Sequence, residues 1–128
     1  MSSHADFLEA LLSEFPQLRE DIELCDGLAY IEMGAFATFT QKAKEAADWD
    51  VYGRAVRLAG RFLADAEKEL SNELHVSYLE HLDFEGPHGP WAWGLLPPEL
   101  QRAWHDIVSS NEQLLGRPWV KTKPDLPA

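Results

Sequence analysis

The chain has 128 residues, enough for one domain with a continuous core, and its 45% hydrophobic and 26% charged content is that of a soluble globular protein. Eleven Lys and Arg face 22 Asp and Glu, a net charge of −11, which argues against direct nucleic-acid binding because phosphate contacts need basic side chains. No apolar run reaches the ~18 residues of a membrane span, the opening "MSSHADFLEALLSEF" lacks a basic leader, and the single Cys25 excludes an intrachain disulfide, so a cytoplasmic, reducing setting is expected.

Helical periodicity dominates, and no stretch alternates as a strand would. A first helix is predicted from about Ser3 to Glu14, with Phe7, Leu8, Leu11 and Leu12 inward. Pro16 disfavours helical geometry at Phe15, and "PQLREDIEL" reads as a short second piece with Leu18 and Ile22 four apart. "CDG", residues 25–27, is a turn. The next helix runs from about Leu28 to Ala47, with a stripe of Leu28, Ile31, Ala35, Phe36, Phe39, Ala43 and Ala46. Asp48 is placed to cap the helix after it. There Tyr52, Ala55, Val56, Ala59, Phe62, Leu63 and Ala66 keep i, i+3, i+4, i+7 spacing, while Gly53 and Gly60 would admit a neighbouring helix at close range.

Ser71 is the predicted cap of a fourth long helix, with Leu74, Tyr78, Leu79 and Leu82 inward and an end near Phe84. "EGPHGPWAWGLLPPEL", residues 85–100, follows with four prolines, three glycines and two tryptophans. It reads as a stiffened corner first and a binding surface second, with one tryptophan buried and one partly exposed. The last helix opens at "PPEL"; Leu100, Ala103, Trp104, Ile107, Val108, Leu114 and Leu115 form its stripe, and Gly116 and Pro118 end it. The expected fold is all-α, a compact bundle of five to six helices whose central members stack as antiparallel hairpins. It occupies residues 1–117, followed by a mobile tail at 118–128.

Residues 1–32 carry −7, 33–64 carry +2, 65–85 carry −6, and the remainder balances. Such a surface suits steering of a basic protein partner as well as plain solubility. Glu32 is the oddest charge: it falls roughly 40° round the helix from Leu28, inside the apolar stripe. A buried carboxylate needs a hydrogen-bonded partner or must take up a proton. Glu32 is therefore either a first-turn acid favoured by the helix dipole or paired with a core tyrosine or arginine, or else a general base or a contact for a basic partner residue. His75 and His81 are six apart and point away from each other, and Glu85-x-x-His88 falls in a loop. His88 and His105 have nothing that requires them to meet, so no metal site is expected. Acidic neighbours disfavour a thiolate at Cys25. Arg54, Arg57 and Arg61 read as a solvated, salt-bridged face with Asp50 and Asp65. Glycine loops for phosphate or dinucleotide are lacking, and no cofactor is expected.

"FPQLRED", "LAYIEMGAFATFTQKA" and "LHVSYLEHLDF" together carry Phe15–Pro16, then Glu32, Gly34, Ala35 and Phe36, then Leu79, Glu80 and Leu82. From about Phe7 to Phe84 the chain resembles a poorly characterised group of small bacterial all-α proteins. Proteins of this type, small, acidic and helical, are similar to immunity proteins, which neutralise a secreted toxin. The resemblance brings no binding residues with it, and "PHGPWAW" lies outside its span. It implies a non-enzymatic protein-binding domain whose partner is a basic toxin domain, such as a nuclease. The candidate contacts are Glu73, Glu80, Asp83 and Glu85, within an acidic run that also holds Asp65, Glu67 and Glu69. Trp91 or Trp93 is the candidate anchor. A helical adaptor with another partner and a small enzyme using Glu32 are the alternatives, and an exposed tryptophan would serve a homodimer equally.

Overall fold

The computed structural model describes residues 1–115, apart from the side chains of Glu112, Leu114 and Leu115. Among these residues there are seven α-helices and no strand: α1 (His4–Glu14), α2 (Arg19–Glu23), α3 (Ala29–Glu45), α4 (Trp49–Ala64), α5 (Lys68–Glu73), α6 (Gly89–Leu95) and α7 (Pro98–Leu115). The predicted inward positions of Leu114 and Leu115, the stop at Gly116 and Pro118, and the tail at 118–128 lie outside the described residues. No described helix is long and apolar enough to cross a membrane.

Local chemistry explains most boundaries. Ser3 and Asp6 exchange backbone and side-chain bonds in a capping box that starts α1. Pro16 opens a 3₁₀ turn, Pro16–Leu18, that leads into α2. Asp26 and Gly27 take positive φ in the turn before α3. Ala47 does the same after it, and the Asp48 carboxylate accepts from Val51 N at 3.3 Å to cap α4.

The fourth long helix departs from expectation at both ends. Ser2 N donates to Asp65 O at 2.7 Å and Glu67 N donates to Ser2 O at 2.9 Å, so the start of the chain straps the exit of α4. The helix therefore begins directly after Glu67. Ser71 cannot cap it, because its own N–H already bonds Glu67 O at 2.9 Å. After Glu73 the helix widens into a π turn, Leu74–Tyr78, then tightens into a 3₁₀ turn, Leu79–His81, three residues short of Phe84. Leu74, Tyr78, Leu79 and Leu82 are buried as the spacing implied.

α3 packs on α4, α4 packs on α7, and segment 74–81 packs on both α3 and α7. The ring is closed, so the molecule is a bundle and not an open stack. Phe7, Phe36 and Tyr78 fill its centre, with partly buried Phe62 at its edge; Phe36 and Tyr78 stack at 4.6 Å, and Phe7 meets Phe36 at 5.5 Å and Phe62 at 5.3 Å. Burial pushes the Tyr78 phenol up, and it hydrogen-bonds Thr40 Oγ1 at 3.0 Å. At Gly60 an added Cβ would lie 3.0 Å from Pro97 Cγ, so this glycine admits the entry to α7. Gly53 is covered instead by Arg57 of its own helix.

The largest correction concerns α3. Its buried face is Glu32, Met33, Phe36, Ala37, Thr40, Ala43 and Lys44, roughly a quarter turn from the predicted stripe. Leu28 and Ile31 are 60% and 55% exposed, and Ala46 is exposed too. The rotation places the carboxylate of Glu32 against His4 of α1 and the ammonium of Lys44 against the connecting chain at Asp83 and Glu85.

Candidate partner-binding site

The Pro/Gly/Trp stretch is not a plain loop: its centre is α6, with Pro90 in the first turn. Three contacts pin that short helix to the bundle. Gly89 lies against the preceding chain so tightly that an added Cβ would stand 1.8 Å from Phe84 O. Tyr52, buried on α4, donates its hydroxyl to Ala92 O at 2.9 Å, and Gln101 Nε2 donates to Trp93 O at 3.0 Å. Burial, with Tyr78 nearby, pushes the Tyr52 phenol up, so the donor keeps its proton.

Trp93 faces inward, edge-on to Phe84 at 5.0 Å, Trp104 at 5.4 Å and His105 at 5.0 Å. Trp91 faces outward and is 62% exposed. It neighbours half-buried Trp49 at 6.2 Å, and Trp49 in turn meets His88 at 5.7 Å. Beside His88 opens a recess of about 580 Å³ lined by Lys44, Glu45, Asp83, Glu85, Gly86 and Pro87. A smaller one of about 270 Å³ lies under Trp91, between Pro90, Gly94 and Leu95. The acidic edge is itself held in place. Lys44 Nζ donates to Asp83 Oδ1 at 2.6 Å, Asp83 O at 2.9 Å and Glu85 O at 3.4 Å. Gln41 Nε2 adds a bond to Asp83 Oδ2 at 2.9 Å. A fixed aromatic with carboxylates at its rim is what a basic protein surface can dock on.

Of the predicted contacts, Asp83, Glu85 and Trp91 come together at this corner, with Trp93 as its buried support. Glu80 is half-buried elsewhere, 3.5 Å from Asn111 of α7. Glu73 is corrected outright: it is 4% exposed, and its carboxyl is engaged by His4 Nδ1, so it cannot face a partner. Trp49, His88 as its neighbour, and Glu45 were not anticipated at this surface. Trp49 stands at i, i+3, i+7 with Tyr52 and Val56, directly after the capping Asp48, so its signal was an extension of the α4 stripe back to the start of the helix.

The family model described as Domain of unknown function (DUF7674) matches residues 8–112. The chain belongs to that family. The DUF7674 match takes in the whole Pro/Gly/Trp corner as well as the helices before it, a longer span than Phe7 to Phe84. No curated protein and no solved structure is significantly similar to the chain.

Glu32, the other candidate for chemistry, is 6% exposed and bonds His4 Nε2 at 2.7 Å, while His4 Nδ1 contacts Glu73. A neutral imidazole has one donor and one acceptor. Two carboxylate partners therefore call for an imidazolium, or for a proton held on one of the carboxyls. Either way both ring nitrogens are engaged, and His4 has no free lone pair with which to take a substrate proton. The cluster joins α1, α3 and α5. Among the described residues no three His, Cys, Asp or Glu side chains could hold a metal ion together. Arg54 bonds Glu14 at 2.9 Å and approaches Asp50 at 3.6 Å. With Arg57 and Arg61 it lines a mixed-charge recess of about 530 Å³ that also contains Glu14 and Glu99.

Proposed function

We propose that this protein is a non-enzymatic binding domain that docks a basic protein partner on the Trp91 corner, most concretely a bacterial immunity protein that neutralises a cognate toxin. The observation that carries the reading is Trp91, 62% exposed on a helix held by three separate contacts. An exposed indole on a rigid element loses little entropy on binding and can anchor a partner. Glu45 and Glu85 beside it supply the field that would speed association with a basic surface.

The test starts with an affinity pull-down in lysate of the protein's own species, run in parallel with wild type and Trp91→Ala. A basic partner captured only by wild type is then purified and assayed for toxicity with and without this protein. Trp91→Ala should weaken binding by about 30-fold or more, the scale of a hot-spot residue, and Glu85→Lys should slow association at low salt. Equal affinity of wild type and Trp91→Ala for the purified partner would remove the corner from the interface. A partner that is harmless to cells would favour the adaptor over immunity.

A further inference from the structure

A second face of α3 is left without a partner, at the end away from Trp91. Of the seven large hydrophobic side chains that the described residues leave exposed, four lie between residues 24 and 31. Leu28, directly before α3, and Ile31 in its first turn are three apart and 60% and 55% exposed, and half-buried Ala35 continues their line. Leu24, 78% exposed, ends α2 on the other side of the Cys25–Gly27 turn. The strip follows i, i+3, i+7 spacing and is about 10 to 15 Å long, at 1.5 Å per helical residue. It exists because α3 turns Glu32 and Met33 inward, which leaves an apolar shoulder on the solvent side. Single exposed leucines need no explanation, but grouped ones mark contact surfaces.

We infer that this strip docks an amphipathic, basic helical segment of a protein partner. Its spacing is that of a groove-and-ridge contact with another helix. Its charge selects the sign of the flanks: Glu20, Asp21, Glu23 and Asp26 are all exposed, and residues 20–32 contain no Lys or Arg. A second copy of this chain would set the same acidic segment against itself. The strip is also too short for the ~1,200 Å² that a stable pair of folded surfaces buries, whereas a single helix covers it. The Leu24–Ile31 face and the Trp91 corner stand at opposite ends of α3, about 25 Å apart along its axis, so neither argument depends on the other.

The experiment is a ¹H–¹⁵N titration of the full chain with a short helical peptide that has a leucine face and lysine flanks. Two control peptides replace the lysines with glutamates or the leucines with serines. Shifts confined to residues 20–35 are expected with the leucine–lysine peptide and with neither control. The double variant Leu28→Ser/Ile31→Ser should keep its helical circular dichroism, since both sites are exposed, and bind about tenfold more weakly or worse. Shifts that the serine–lysine peptide reproduces, or affinity unchanged in the double variant, would overturn the inference. Response at residues 85–95 alone would also overturn it while leaving the Trp91 reading intact. Sedimentation that shows a dimer broken by the double variant would assign the strip to a second copy instead.

Discussion

The two ends of α3 bury opposite charges, and each does so differently. Glu32 near the N-terminus is 6% exposed and Lys44 near the C-terminus is 4% exposed, each at the end where the helix dipole favours its sign. Lys44 meets three acceptors with three donors, two of them backbone carbonyls, so the ammonium is fully satisfied. Glu32 shares one imidazole with a second buried carboxylate, Glu73. The first arrangement shapes a surface, because the chain it clamps leads directly into the Trp91 corner. The second shapes none and serves to join helices. The two buried charges thus differ in what they hold: a stretch of connecting chain at Lys44, other helices at Glu32.

That contrast can be broken in several ways. The largest effect is expected from Gly89→Ala, where a methyl group would overlap Phe84 O and force α6 off the bundle at a cost of about 3 kcal/mol or more; thermal melts and Trp91 emission would report it. Lys44→Ala should cost about 2–3 kcal/mol, because it removes the ammonium that the carbonyls of Asp83 and Glu85 share, although the Asp83 carboxylate keeps its bond from Gln41. Glu32→Ala should cost less, about 1–2 kcal/mol, since the His4–Glu73 pair survives it. Urea unfolding of both variants decides the order, and a reversed order would make the imidazole cluster the stronger fastener. Burial first, and then the charges of Glu32 and Asp21, push the Cys25 thiol up. Its alkylation should be slower than that of free cysteine at pH 8 and should recover only at higher pH. Trp91→Ala should leave stability within about 0.5 kcal/mol, so any loss of binding in that variant reports on the interface alone.

Much of this fold can be read from local chemistry. The capping serine of α1, the break at Pro16, the turn at Cys25–Gly27, the Asp48 cap and the proline start of α7 depend on residues within a few positions of each other. The face of α3 does not. Its apolar residues spread over more than half the helix surface, and the choice among them is made by His4 and Asp83, which lie 28 and 39 positions away in sequence from Glu32 and Lys44. Ser71 looked like a cap because nothing local reveals that Ser2 has already fixed the chain at Glu67. At the candidate site, the division of labour between Trp91 and Trp93 follows from two residues of opposite orientation in one short helix. The share taken by Trp49 and Lys44 needed the bundle to be assembled first.

The strap at the start of the chain has a consequence for the order of folding. Ser2 and His4 reach partners 63 and 69 positions further on, among the longest separations in the molecule. Such contacts bear the full cost of loop closure and are expected to form after α3 and α5 have docked. The segment that leads the sequence is thus among the last to lock. Loosening it, as in His4→Ala, should speed unfolding while leaving the folding rate nearly unchanged, so the strap acts as a latch on a bundle built without it.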